Sequence, residues 1–305
     1  MRMKEPLVWL NGEMIPESKA TVPITDRGFV NGDAAYDAFR TWHHQPLFAE
    51  TYYDRFFASL HYLSIDPGVT RTELGAIVDQ VLATNLPLLS KDEDCQVVLR
   101  CTRGADHISD VLNPGRATLI VQARTFKIDT AAYRDGVELV TSSIRRTPKD
   151  SVSPKPKTHD RLNNVLADLE VKRLNPQARC LMLDLDGWVA EGSSYNVGAV
   201  VNGELIAPKD NCLEGRTMQI LLELAGKVGI PARYDNLSLF SLYNASEAFI
   251  TGSSNGMLPV RVADGRRIGT AIPGPVQERL WKAWDELVGL DTREQARRHL
   301  SSSPA

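Results

Sequence analysis

A chain of 305 residues is long enough for about two domains, each with a core of its own, which excludes a peptide hormone or a disulfide-framed miniprotein. Its 35 basic and 38 acidic side chains leave a formal charge of −3, spread without long blocks of one sign, so nucleic acid is not an expected partner: phosphate binding calls for a basic face. The hydrophobic share of 43% and charged share of 24% are ordinary for a soluble globular protein.

Near the N-terminus, Leu7-Val8-Trp9-Leu10 and Met14-Ile15 flank Asn11-Gly12, a pair that tolerates positive φ, and the pattern predicts a β-hairpin. Asn11-Gly12-Glu13 also interrupts the apolar stretch before it can form a signal-peptide core. No run approaches the ~18 apolar residues of a membrane helix, and a cytoplasmic location is expected. Residues 54–65 read as a helix. Thr70-x-x-Glu73 forms a capping box, and Leu74, Ile77, Val78, Val81 and Leu82 follow one helical face, predicting a helix over 72–85. Residues 95–102 and 117–124 cluster β-branched or alternating apolar residues, as strands do. From 125 to 136 the pattern breaks, and an interdomain linker is expected there.

Beyond it, residues 137–142 read as a strand. A Pro/Lys loop (Pro154-Lys155-Pro156-Lys157) follows, then a helix with Asp160 as its expected N-cap and an apolar stripe of Leu162, Val165, Leu166 and Leu169. Strands at 180–185, 196–201 and 204–207 are joined by Asp186-Gly187 and Asn202-Gly203 turns. These hairpins predict an antiparallel or mixed sheet instead of a doubly wound parallel one. Helices at 216–228 and 275–288 and a strand at 248–251 complete the reading. The expected organisation is an N-terminal α/β domain over 1–124, a linker over 125–136, a C-terminal domain over 137–290 and a flexible tail over 291–305. Cys95, Cys101, Cys180 and Cys212 form no CxxC pair and read as reduced, packed thiols. His43, His44, His61 and His159 lack metal-ligand spacing, and no metal is expected.

Four stretches of the second half offer an amine, an acid and anion-binding backbone. Lys157 ends a proline-stiffened loop just before a helix, and lysine is the side chain that condenses with carbonyls. Lys155 is its neighbouring rival. Glu191, in Val189-Ala190-Glu191-Gly192-Ser193-Ser194, is a carboxylate held between strands, suited to a protonated ring nitrogen. Leu213-Glu214-Gly215-Arg216-Thr217 opens a helix whose free amides and Thr217 hydroxyl suit an anion. Gly252-Ser253-Ser254-Asn255-Gly256 offers a second set of amides and hydroxyls. Arg55 in the first half supplies a fixed cation.

In this order, and together with Asp26-Arg27-Gly28-Phe29, Tyr36, Thr102-Arg103-Gly104, Asn163-Asn164, Asn196-Val197 and Pro259-Val260, these pieces resemble the class IV, fold-type IV, pyridoxal-phosphate aminotransferases. That group includes branched-chain and D-amino-acid aminotransferases, (R)-selective amine transaminases and aminodeoxychorismate lyase. The resemblance runs from about Val8 to Leu287. It implies a mixed α/β (α+β) fold, with a small N-terminal α/β domain and a C-terminal pseudo-barrel domain.

It also implies pyridoxal 5′-phosphate (PLP) as cofactor, with Lys157 forming the aldimine and shuttling the proton, and Glu191 at the pyridine nitrogen. Arg55, Arg216, Thr217 and Ser253 are then expected at the phosphate and Leu213 against the ring. Tyr36 and Arg40 are expected in the substrate pocket, where Arg103, Ser253 and Ser254 are further candidates for the substrate carboxylate.

The expected reaction passes an amino group from a branched-chain-like or D-amino acid, or a primary amine, through a pyridoxamine form to a 2-oxo acid. A lyase of the aminodeoxychorismate type is the alternative, and a homodimer is implied. The departures concern substrate choice. Arg161 and Leu162 replace the Asn-Tyr usual in branched-chain enzymes, Val98 replaces an arginine, and Ile108 and Asp110 replace the arginine and histidine of D-amino-acid enzymes.

Overall fold

Asn11 (φ +50°) and Gly12 (φ +107°) take the left-handed conformations of a tight hairpin and join β1 (Leu7–Leu10) to β2 (Glu13–Pro16). The computed structural model describes residues 5–105, 115–126 and 128–302. The chain divides into two compact units: residues 1–127 with 156–160, and residues 128–155 with 161–305.

In the first unit the hairpin is followed by α1 (Arg27–Asn31), β3 (Ala34–Arg40), α2 (Ala49–Leu63), α3 (Arg71–Asn85), β4 (Cys95–Thr102) and β5 (Thr118–Thr125). The five strands form an antiparallel sheet in the order β2-β1-β5-β4-β3. Side chains alternate across it. Ala35 and Phe39, Val97, Leu99 and Cys101, and Leu119, Val121 and Ala123 pack in one core with Tyr52, Phe56 and Leu60 of α2 and Leu74, Val78 and Val81 of α3. Each fully buried leucine or phenylalanine of that layer contributes about 1.5–3 kcal/mol. The expected capping box holds α3: Thr70 Oγ1 accepts from Glu73 N, and the Glu73 carboxylate from Thr70 N. Residues 157–159 run along the free edge of β3, with Tyr36 N donating to Lys157 O and His159 N to Ala34 O, both at 3.0 Å.

The second unit comprises α4 (Thr130–Asp135), β6 (Val137–Thr141), α5 (Leu162–Leu174), β7 (Arg179–Leu183), β8 (Val189–Glu191), β9 (Asn196–Val201), β10 (Glu204–Pro208) and α6 (Arg216–Lys227). It continues through β11 (Ala232–Asp235), α7 (Leu239–Tyr243), β12 (Glu247–Gly252), β13 (Gly256–Ala263), β14 (Arg266–Arg267), α8 (Pro275–Val288) and α9 (Thr292–Ser302). Its sheet runs β11-β10-β9-β12-β13-β6-β7-β8, with β14 paired to β13. The β10–β11, β13–β6 and β6–β7 pairs are parallel and the others antiparallel, so the sheet is mixed, as the hairpin turns predict. β8, at one end of the order, packs against β9 and β10 near the other, and the sheet curls into a half-barrel. All four cysteines are free and buried. No helix among the described residues is long and apolar enough to cross a membrane.

Several expectations change. The 125–136 stretch carries α4, capped by Asp129 through Ala132 N and burying Ala132 and Tyr133, so two apolar residues too close for a periodic signal suffice to dock it. Within the expected tail, Thr292–Ser302 form α9. It is held by Thr292, which donates to Asp285 and accepts from Trp281 Nε1, and by buried Ala296. Residues 156–160 lie with the first unit although the expected boundary put them in the second. Asp160 is not the cap of α5; Arg161 holds that position without a side-chain cap bond. The α5 stripe faces outward, with Leu162, Val165, Leu166 and Leu169 between 45% and 66% exposed, while Asn164, Ala167 and Val171 turn inward.

Candidate active site

Lys157 belongs to the first unit. Its backbone is pinned on both sides, the carbonyl accepting from Tyr36 N and the N–H donating to Ser59 Oγ at 3.0 Å. Its Nζ lies 4.6 Å from the centroid of the Tyr36 ring. No carboxylate forms an ion pair with it among the described residues, so the amine stays available as a nucleophile or base. Lys155 is different: in the second unit, its Nζ is tied to Glu214 at 2.7 Å and it is 43% exposed. Geometry thus favours Lys157 over its neighbour.

Arg55 extends from α2 to Asp37 on β3 in a two-point ion pair, Nε to Oδ2 at 2.9 Å and Nη2 to Oδ1 at 2.7 Å, with both residues buried. A buried aspartate on the core face of a strand is tolerated because this guanidinium answers both oxygens. Arg40 departs from its expected place in the substrate pocket. It is 1% exposed, bound to Asp94 at 2.8 Å, and stacked 3.9 Å from the Trp42 ring centroid, so it serves the interior. Thr41 and the His44 amide complete the Asp94 cluster. Arg103 is likewise committed, with two bonds to Asp33 and others to the Leu63 and Ser64 carbonyls. Burial alone would raise the Asp33 carboxyl, but Arg103 and Arg27 outweigh it and hold it below the usual carboxylate range. Ile108 and Asp110 lie outside the described residues.

In the second unit Glu191 closes β8 with its side chain buried. Oε1 accepts from Arg146 Nε at 2.7 Å, and Oε2 accepts from Leu213 N at 3.1 Å and Asn196 Nδ2 at 3.5 Å. Asn196 Nδ2 also donates to Leu213 O at 2.8 Å, so the peptide on either side of Leu213 is clamped and its half-buried side chain aimed. Arg146 follows β6 and Asn196 opens β9. Asn196 lies five residues beyond Glu191, whereas Arg146 reaches it from 45 residues away through the fold, and no local spacing announces that partner.

α6 begins after Gly215, which makes no side-chain cap bond, so the positive end of its dipole at Arg216 and Thr217 suits an anion. A Cβ at Gly215 would collide with Asn196 Oδ1, so glycine is required by the close approach of the clamp. Ser253 and Ser254 form the turn between β12 and β13. At the strand end leading into it, Thr251 Oγ1 is buried with no hydrogen-bond partner among the described residues, at a cost of about 1–3 kcal/mol that an incoming acceptor would relieve. Within the second unit, the start of α6, the orphaned Thr251 hydroxyl beside the Ser253 turn and the clamped Glu191 carboxylate have the chemistry to hold a phosphate and a ring nitrogen of the PLP type; within the first, Lys157 has the chemistry to capture its aldehyde.

The sequence matches the family described as "Amino-transferase class IV" over residues 34–263. It is 30% identical over 92% of its length to a branched-chain-amino-acid aminotransferase-like protein of Arabidopsis thaliana, of which it spans 50%. It is 26% identical to a branched-chain-amino-acid aminotransferase of Pseudomonas aeruginosa, covering 97% of each chain. Its fold superimposes with a TM-score of 0.85 and 25% identity on a T.th. branched-chain amino acid aminotransferase with pyridoxamine 5′-phosphate, covering 94% of this chain and 96% of the other. With the family matched across well over half its length, the chain belongs to the class IV aminotransferases.

Proposed function

We propose that this PLP-dependent aminotransferase takes its amino group from a branched-chain L-amino acid and passes it to a 2-oxo acid, with Lys157 as the reacting amine. The relatives named above as branched-chain enzymes support that donor class. The observation that carries the assignment of Lys157 is its Nζ over the Tyr36 ring, without a carboxylate partner, on a backbone fixed from two directions.

PLP, when bound, supplies an aldehyde that captures an amine and a ring that withdraws electrons from the adjacent carbon. Lys157 then carries the proton: its free amine removes it from the donor Cα and would deliver it to the carbon that bore the aldehyde, and in the second half of the cycle it would run the same transfer in reverse onto the 2-oxo acid. Ser59 and Tyr36 hold the Lys157 backbone during that exchange. Glu191, clamped by Arg146, Leu213 N and Asn196, is the residue for the pyridine nitrogen. Arg216, Thr217 and Ser253 would hold the phosphate, joined by Arg55 as the Asp37-bound cation, and Leu213 would pack on the ring. Tyr36 and Ser254 belong with the substrate.

The exposed α5 stripe supports assembly as a homodimer, since Leu162, Val165, Leu166 and Leu169 form an apolar patch that a second copy would cover. The deciding experiment mixes holoenzyme with L-leucine, D-alanine or (R)-1-phenylethylamine alone and follows the cofactor spectrum. Conversion to the pyridoxamine form by L-leucine, reversed by 2-oxoglutarate, is expected. Conversion only by D-alanine or the amine overturns the donor assignment, and no conversion by any donor points to the lyase reaction.

A further inference from the structure

We propose that Arg100 of β4 binds the carboxylate of the substrate, making this enzyme selective for carboxylate-bearing donors over simple amines. The proposal rests on the reading of Lys157 as the reacting amine. Tyr36 of β3 and Arg100 of β4 are directly paired residues, so their side chains leave the same face of the sheet with Cβ atoms about 4.5–5.5 Å apart. Tyr36 is also the residue over whose ring Lys157 Nζ sits. Lysine amine, tyrosine ring and arginine therefore follow one another across neighbouring strands of a single unit. A donor amino acid carries its carboxylate one bond from the carbon that reacts, and a cation one strand beyond the amine suits that span.

Five other arginines of this unit meet carboxylates, and Arg116 is exposed. Arg27 and Arg103 meet Asp33, Arg40 meets Asp94, Arg55 meets Asp37, and Arg71 meets Glu50 and Asp54. Arg100 is half-buried yet has no carboxylate partner among the described residues, and its one bond runs from Nη1 to the Gln122 amide oxygen at 3.3 Å. Arg124, on the same face, is bonded to the Gln96 amide oxygen. Glu17 takes the amide N–H of Gln122. Burial, and next the Arg124 charge, hold the Arg100 guanidinium below its ordinary value, a penalty that a bound anion would offset. Arg100 also stands on the face of Val98, two positions along, where a branched-chain enzyme's arginine is missing. The chemistry specified is a planar carboxylate met by a guanidinium fork.

The test is calorimetric titration of holoenzyme with 4-methylvaleric acid and with its neutral amide, in the wild type and in Arg100→Met and Arg100→Lys, alongside half-reactions with L-leucine and L-leucinamide. Loss of a charge-assisted pair should weaken the acid about tenfold or more in Arg100→Met and leave the amide unchanged, with cofactor absorbance intact. Arg100→Lys, which keeps the charge and loses the fork, should fall between. It also supplies the acid-to-amide ratio if the methionine variant does not fold. An unchanged acid affinity, equal weakening of acid and amide, or no acid binding by the wild type overturns the proposal. A wild type that binds the acid but converts no leucine refutes the branched-chain donor reading while leaving the Arg100 comparison decided.

Discussion

Ser59→Ala removes one hydroxyl that joins α2 to the lysine segment. Ser59 Oγ accepts the Lys157 N–H at 3.0 Å and donates to Arg55 O at 2.8 Å, and the residue is 1% exposed. Without it the Arg55 carbonyl retains its place in the helix, whereas the Lys157 N–H loses its acceptor. The cost is about 1–2 kcal/mol, within the range for a partly or fully buried orphan donor, and it falls on residue 157 instead of being shared. Local opening there should become roughly 5- to 30-fold more populated. Hydrogen exchange read by mass spectrometry on a peptide spanning 155–160, with an α8 peptide as reference, measures this directly. Faster exchange confined to the lysine segment is expected. Unchanged exchange at residue 157, or equal acceleration throughout the unit, would refute the pinning role.

Asp94→Asn should lower stability by about 3–5 kcal/mol, because Arg40 is left buried without its counter-charge, and should leave KM nearly unchanged in whatever fraction stays folded; thermal unfolding with a KM comparison checks both. Gly215→Ala should weaken cofactor binding by driving Asn196 off the Leu213 and Glu191 clamp, read by titrating apoenzyme with PLP; wild-type affinity would contradict the clamp. Burial pushes the Cys95 thiol up to about 11 and those of Cys101 and Cys212 up to about 12. The folded chain therefore keeps protons that the unfolded chain releases near 9, so stability is level below that value and falls as pH rises from it toward 11–12. A Tm that declines over this window, and native thiols inert to a disulfide reagent at about pH 8 but reactive once unfolded, are expected; a flat Tm would contradict the burial. Leu166→Glu on the exposed α5 stripe should convert a dimer to monomer in sedimentation experiments, and a monomeric wild type would refute that surface.

What is legible in the sequence is local. The Asn11-Gly12 hairpin, the Thr70-Glu73 box, β4 over Cys95–Thr102 and α8 over Pro275–Val288 announce themselves through turn chemistry, capping and periodicity, and the structure has them. β3 carries no such signal. Its core-facing positions read Ala35, Asp37, Phe39, and the aspartate breaks the apolar alternation that would mark a strand. Arg55 repairs the break from α2, a compensation visible only in three dimensions. Tyr36, the partner of Lys157, lies on that strand, so the surroundings of the lysine are hidden with it.

Arg40 is misplaced by sequence for a related reason: the sequence reports a cation but not that Asp94, 54 positions away, already holds it. The α5 stripe shows the opposite error. Helical spacing correctly marks an apolar face, but periodicity does not say whether the face covers the chain's own core or another surface. Glu191 stands out from its loop with Asn196 five residues on, whereas nothing ties Arg146 to it, because that arginine, 45 positions away, meets it only in the fold.

The most direct test is to reduce the holoenzyme with borohydride, digest it and map the pyridoxyl-bearing peptide. A single label on Lys157 is predicted. A label on Lys155 or any other lysine, or none in a protein that has bound PLP, would contradict the assignment on which the proposed chemistry depends.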